Sequence, residues 1–517
     1  MDVSTRYGTV SGVTAGGVTR FLGIPYAAAP FGDNRFGPPV PPEHWTGVRA
    51  ADAFGPTAPK VPVPGELGAL ITDPVVPGAE CLNLNVWTPG ADGPPRPVLV
   101  WLHGGAFTNG SSAVTGYDGA TFARAGVVCV TLNYRLGMEG FGYVPGAPAP
   151  ANRGLLDQLR ALEWVRDNIA AFGGDPGDVT LSGESAGAMC ALTLLATGSD
   201  LFHRVAVASG SAELGQAVPD ALRVTAAVAE QLGVTPDFAG LASSTPEALA
   251  AAQAAVGAVV GGTADAARFG RSTIAACGLA YVPVVDGAVL PCRPIEALRA
   301  GAGAAKPLLI GTTTEEYRLF LIASPLVQLT DPAPLRARVE AYGAPPGSYD
   351  DYAAGGSPAY PRVRPAETAA ALLTDRMFRI PSYRVAEARA GLPPATTHVF
   401  EFGRRSPVTP NPVGAPLGAC HGSELPFLWD VLALPDSRSF VGPDAPQPLA
   451  DQLHGRWLEF ATTGRLADWP PYTPADRTVL VFAHDDGPGT VLVEDPRGAE
   501  RQLWGGGGGH GVVNNRG

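Results

Sequence analysis

The chain has 517 residues, of which 45% are hydrophobic and 16% charged, with a formal net charge of −12. Such a chain buries a sizeable core, and it has no run of lysines or arginines able to neutralise a row of phosphates, which excludes nucleic acid as an expected partner. Six scattered cysteines, Cys81, Cys129, Cys190, Cys277, Cys292 and Cys420, form no CxxC pair and no His/Cys cluster at zinc-ligand spacing, so free buried thiols in a reducing compartment are expected rather than a disulfide framework or a metal site.

The opening "MDVSTRYGTVSG" has no basic segment followed by an apolar one, so no secretory signal is visible and a cytoplasmic location is expected. Six apolar runs then read as strands: "RPVLVWLHGG" (96–105), "GVVCVTLNYR" (126–135), "DVTLSG" (178–183), "RVAVASG" (204–210), "KPLLIGTTT" (306–314) and "THVFEF" (397–402). Near-continuous apolar runs of this length suit a sheet covered on both faces. Between the second and third runs, Leu155, Leu159, Leu162, Val165 and Ile169 recur at helical spacing, and a double glycine ends the helix.

Strands alternating with helices predict an α/β fold with a large, mostly parallel central sheet and helices on both faces. The Ala- and Pro-rich stretches 212–300 and 318–395 are expected to be helical or irregular insertions above the strands' carboxyl ends, where open α/β sheets carry their active sites. Residues 248–264 are uncharged but dominated by Ala and Gly, which predicts a packed helix and no membrane span. Residues 1–503 are read as one domain and 504–517, with the run "GGGGGHG", as a flexible tail.

Within "VTLSGESAGAMCALTLL" (179–195), Ser185 stands between Gly183 and Gly187 where a β-branched run gives way to a helix expected to begin near Ala186. A serine at such a turn is held in a strained conformation with its hydroxyl projecting, and only small residues two positions either side let strand and helix pass. Ser185 is therefore a candidate nucleophile, with the following helix N-terminus favouring an oxyanion beside it. The same chemistry demands backbone amides at an earlier strand end, then a carboxylate, then a histidine, in that chain order. "WLHGGAF" (101–107) supplies the amides, with Gly104, Gly105 and Ala106 just past a strand end, to act with the amide of Ala186. His103 precedes the nucleophile and is read as structural, and Asp286 in "PVVDGAVLP" as a turn residue.

These segments carry a family resemblance. "FLGIPYAAAPFGDNRFGPP" (21–39), "ECLNLNVWTP" (80–89), "HGGAF" (103–107), "VTLNYRLG" (130–137), "FGGDPGDVTLSGESAGA" (172–188) and "CHGSELPF" (420–427) occur in the order of the type-B carboxylesterase and cholinesterase family of α/β-hydrolases. The chain resembles most closely its bacterial para-nitrobenzyl-esterase-like members. The resemblance implies an α/β-hydrolase fold and a serine carboxylesterase with a Ser-His-Glu triad, acting on a small-molecule ester through an acyl-enzyme, with no cofactor or metal.

It also assigns the acid to Glu316 in "GTTTEEYRLF" (311–320); from the residues alone, Glu315 remains an alternative. Five histidines follow, His398, His421, His454, His484 and His510, and the resemblance selects His421 as base. A His421–Glu424 metal pair lacks further ligands nearby. Gly105, Ala106 and Ala186 are the expected oxyanion donors, with Gly104, Glu184 and Ser209 in supporting places.

Secreted relatives close the loop before "CLNLNVW" with a disulfide, yet Cys81 has no cysteine upstream, so the loop over about 59–79 is unstapled. Two other readings fit the same residues: hydrolysis of amides, carbamates or thioesters on the same triad, and a catalytically silent binding protein.

Overall fold

The protein is described from a computed structural model covering residues 1–505 except 356–361, 395, 411–413, 484–486 and 488. His484, His510 and the tail beyond residue 505 lie outside the described residues.

Among the described residues, eleven strands form the principal sheet: β1 Val13–Ala15, β2 Val18–Pro25, β3 Asn83–Thr88, β4 Arg96–Leu102, β5 Val128–Leu132, β6 Gly174–Glu184, β7 Arg204–Ala208, β8 Leu308–Thr313, β9 Thr397–Phe402, β10 Thr478–Phe482 and β11 Thr490–Glu494. Their spatial order is β11-β10-β9-β8-β7-β6-β4-β5-β3-β2-β1. The strands from β10 to β5 are mutually parallel, while β11 at one edge and β3, β2 and β1 at the other pair antiparallel. This is the expected α/β-hydrolase architecture with a mostly parallel sheet.

Alternation along each strand builds two cores from one sheet. Val98, Val100, Leu102, Val207 and Ile310 enter one cluster, and their neighbours Leu99, Trp101, Ala206, Ala208 and Leu309 enter the other. Helix α1 (Arg153–Asn168) covers the first face through Leu155, Leu162 and Val165, with Leu159 half-buried. It runs on into a 3-10 turn at Ile169–Phe172 and stops where Gly173 turns left-handed at φ 83°. Helix α2 (Ala186–Ala196) is buried along its whole length on that face, and Gln447–Thr463 covers the opposite face through Leu453, Trp457 and Phe460.

The six expected strands all form. The sequence reading did not assign strands to β1, β2, β3, β10 and β11. In β2 the apolar run breaks at Gly23 (φ 70°), where the register with β3 shifts between Phe21 and Ile24. In β3 the polar Asn83 and Asn85 alternate with Leu84 and Val86, yet all are buried; Asn85 donates to Ser112 and Thr131, which offsets its desolvation.

The 212–300 insertion is mainly helical, including Val218–Leu232 and Pro246–Thr263; it adds a two-stranded pair, Gln216–Ala217 with Val284–Val285. Leu249, Val256 and Val260 of Pro246–Thr263 are buried in the core, and among the described residues no helix is long and apolar enough to cross a membrane. Asp286 sits in a turn, accepting from the amides of Ala288 and Leu290. All six cysteines are free, five buried and Cys292 half-buried. At the far end Trp504, expected in the tail, instead packs against the core, and its indole N–H donates to the Tyr352 hydroxyl at 2.9 Å.

Candidate active site

The chain passes from β4 to β5 on one side and returns to β6 on the other, so a crevice opens at the carboxyl ends of β4 and β6 where the strand order reverses. Ser185 lies there, between β6 and α2, with φ 56° and ψ −126°. Its amide donates to the Ala208 carbonyl of β7 at 3.1 Å, which holds the strained turn. A Cβ on Gly187 would lie 2.0 Å from the Leu102 carbonyl oxygen, and one on Gly183 2.7 Å from the Gly187 carbonyl carbon, so strand and helix pass only because both are glycine.

His421 lies on the loop before Leu425–Leu428, its own amide donating to the Glu316 carbonyl at 3.1 Å. Its Nε2 is 2.8 Å from Ser185 Oγ and its Nδ1 is 2.6 Å from Glu316 Oε2. Glu316 is fully buried just beyond β8, and its other oxygen accepts from the Ser209 hydroxyl at 2.6 Å and the Thr313 amide at 2.8 Å. Phe320 and Phe378 pack beside the imidazole, with ring centroids 5.3 and 4.8 Å away. Glu315 bonds elsewhere, accepting from the Ala419 amide at 3.0 Å with Arg318 nearby.

Glu184 Oε1 lies 3.0 Å from the same His421 Nε2 that faces Ser185. Burial opposes protonation of His421, but the carboxylates of Glu184 and Glu316 outweigh it and hold the imidazole well above its ordinary range. Glu424 is fully buried, and neither of its carboxyl oxygens has a hydrogen-bond partner among the described residues. Burial, then the nearby Glu184 and Glu316, push its carboxyl well up, which favours its protonated form. Among the described residues no group of three His, Cys, Asp or Glu side chains could hold a metal.

The glycine turn after β4 brings Gly104, Gly105 and Ala106 to the serine. A Cβ on Gly104 would meet Glu184 Oε2 at 2.6 Å and Ser185 Cβ at 3.1 Å. Gly105 and Ala106 both have positive φ, 117° and 55°, and the Gly105 carbonyl accepts from the amides of Thr108 and Asn109, closing a tight turn. Ala186 is the first residue of α2, so its N–H has no intrahelical acceptor. His103 is fully buried, hydrogen-bonds the Gly104 carbonyl at 2.7 Å through Nδ1 and stacks on Tyr134, and burial pushes it down to about 4, which fits a structural place.

Gly104, Gly105, Ala106, Glu184, Ser185 and His421 line one cavity of about 280 Å³, whose wall is mostly apolar. Glu316, Ser209 and Ala186 do not line it. Sequence reasoning missed the Thr313 amide on Glu316, since a backbone donor leaves no pattern to read; the 61–72 segment, which reads in the sequence only as part of an unstapled loop, lines the cavity through the short helix Gly65–Leu70 and its flanks.

The sequence pattern described as the carboxylesterase family matches residues 1–490. Over 496 residues the chain is 36% identical to a phenmedipham hydrolase of Pseudarthrobacter oxydans, covering 93% of this chain and 94% of that one. It is 34% identical over 512 residues to the para-nitrobenzyl esterase of Bacillus subtilis (strain 168), covering 97% of each. Its fold is similar to that of a solved carboxylesterase of Geobacillus stearothermophilus, with a TM-score of 0.81 at 36% identity, over 97% of this chain and 99% of that one. With fold and sequence in agreement along nearly its whole length, the chain belongs to the type-B carboxylesterase family and is a carboxylic ester hydrolase.

Proposed function

We propose that this enzyme hydrolyses small-molecule esters by a Ser185–His421–Glu316 triad through an acyl-enzyme. The observation that supports this most is the continuous line from Ser185 Oγ to His421 Nε2 (2.8 Å) and from His421 Nδ1 to Glu316 (2.6 Å). His421 takes the Ser185 proton as the hydroxyl attacks the ester carbonyl, and Glu316 stabilises the imidazolium that forms. The amides of Gly105, Ala106 and Ala186 receive the developing oxyanion. His421 then protonates the departing alcohol, and water activated by the same imidazole releases the acid. Glu184 and Ser209 support this set, Glu184 from beside the imidazole and Ser209 through its bond to Glu316.

Glu184 and Asp436 are among the cavity-lining residues, as is Asp73, whose charge is paired with Lys60, and no lysine or arginine lines the cavity. Neutral or cationic esters are therefore favoured over anionic ones. The similarity to a phenmedipham hydrolase makes phenmedipham a candidate substrate beside simple carboxylic esters.

Hydrolysis of para-nitrophenyl acetate and butyrate by wild type and by Ser185→Ala tests the reading. The variant is expected to lose on the order of 10⁶ in kcat, as when a triad serine is removed elsewhere. A wild type no faster than Ser185→Ala would overturn it and bring forward a binding role.

A further inference from the structure

The chain holds only two lysines, and the side chain of one of them, Lys60, is completely covered. Its ammonium donates to the Asp73 carboxylate, itself 6% exposed, and to the Gly110 carbonyl at 3.0 Å. The second Asp73 oxygen accepts from Asn109 Nδ2 at 3.1 Å, and the same Asn109 amide donates to the Val61 carbonyl at 2.8 Å. A lysine is rarely buried without strong reason, because its ammonium loses its hydration there.

The partners of this pair give the reason. Lys60 and Asp73 flank a twelve-residue flap, 61–72, whose Val63, Leu67, Leu70, Ile71 and Thr72 line the cavity containing Ser185. Asn109 and Gly110 close the turn that carries Gly105 and Ala106: the Asn109 amide donates to the Gly105 carbonyl at 2.8 Å, and a Cβ on Gly110 would lie 2.1 Å from the Gly104 carbonyl oxygen. Both ends of the flap are thus joined, through one buried ion pair and one side-chain amide, to the glycine turn. An outer contact adds to this on the exposed side, where the Thr72 and Thr115 hydroxyls both donate to Asp436 Oδ2, at 2.9 and 3.0 Å.

We propose that Lys60 and Asp73 are positioning residues for ester hydrolysis: their ion pair clips the 61–72 flap onto the glycine turn, seating the flap's apolar side chains against the substrate and fixing the amides of Gly105 and Ala106. This rests on the oxyanion role given to those amides above. No disulfide closes this loop, since Cys81 is free, and the ion pair holds it without a covalent bond. The two halves of the clip act on different kinetic constants. Flap contacts reach the part of the substrate distant from the carbonyl and set KM for bulky esters, whereas the turn acts on the oxyanion and sets kcat for every ester.

The test uses the full chain carrying Lys60→Met, Asp73→Asn and the double substitution Lys60→Met/Asp73→Leu, with kcat and KM measured for para-nitrophenyl acetate and octanoate. The double variant leaves no buried charge unpaired, so it folds even where a single variant does not. The expected result in the double variant is a rise of about tenfold in KM for octanoate with little change for acetate, together with a fall of about tenfold or more in kcat for both, the size of loss that displacement of a positioned group produces. Protease cleavage within 61–72 should also become faster than in wild type. A pair that merely stabilises the fold would lower the melting temperature and leave both constants within about twofold of wild type for both esters, and that outcome would overturn the proposal. A wild type no faster than Ser185→Ala would instead overturn the functional reading beneath it, so the two failures are distinct.

Discussion

Replacing Glu316 by glutamine tests the triad without changing its shape. One Glu316 oxygen faces the Ser209 hydroxyl and the Thr313 amide, and the other faces His421 Nδ1. The Thr313 N–H can only donate, so the glutamine carbonyl must take that side and its NH₂ group must turn toward His421. Nδ1 is then forced to accept, which moves the imidazole proton to Nε2, the nitrogen facing Ser185 Oγ. A protonated Nε2 cannot take the serine proton. The same tautomer inversion in the serine-protease template lowers kcat by about 10⁴, a barrier increase of about 5 kcal/mol, and a loss of that order is expected in kcat for para-nitrophenyl butyrate. Glu315→Gln is the control, because its carboxylate meets the Ala419 amide and Arg318 rather than the imidazole. A Glu316→Gln enzyme retaining about a tenth of wild-type kcat or more, beside a Glu315→Gln enzyme that loses several orders of magnitude, would refute the assignment.

Two other perturbations follow from the same geometry. Because His421 is held above its ordinary range and must be neutral to act as base, the acid limb of kcat/KM should lie above that of a free imidazole, and Glu184→Gln, which removes one of the two carboxylates, should move it to lower pH; a limb that stays in place in the pH–rate profile would refute the role of Glu184. The linked stability has the opposite sense: a raised histidine stabilises the fold fully below its unfolded value, and that contribution disappears as pH rises through the raised folded value. Gly187→Ala should lower the melting temperature, since the new Cβ meets strand backbone at 2.0 Å, with overpacking costing roughly 1–3 kcal/mol or more, and an unchanged melting curve would contradict the close passage of α2 over β4.

The strands that carry the site were legible because they are buried on both faces, so they read as near-continuous apolar runs: Val98–Leu102 before the glycine turn, Val179 and Leu181 either side of the buried Thr180 before the serine, Leu308–Ile310 before the acid. Ser185 was legible because a strained elbow demands glycines at fixed offsets, a local requirement that leaves a local pattern. Neither His421 nor the choice between Glu315 and Glu316 could come from spacing. That selection depends on which side chain β8 and its following turn aim at a loop 105 residues away, and the resemblance to a family supplied what local physics did not.

What stayed hidden is of one kind. Glu424 reads as a possible metal partner of His421, because sequence separation of three says nothing of burial; in the fold it is fully buried, and burial together with Glu184 and Glu316 pushes its carboxyl well up. Asn83 and Asn85 hid a strand, because their polarity breaks the apolar run while Pro56, Ser112 and Thr131 satisfy them from distant segments. Lys60 and Asp73 carry no pattern in the sequence, since a buried ion pair is written as two ordinary charges until the partner segment at Asn109 and Gly110 is brought against them. In each case a polar residue becomes favourable inside the protein only through a group far along the chain, and the cost of burying it unpaired is what forces that partner to be present. A scarce lysine in a proline-rich loop is then more than composition: in a chain with only two lysines, the Lys60 side chain is covered and its ammonium donates to a carboxylate and a carbonyl brought from along the chain.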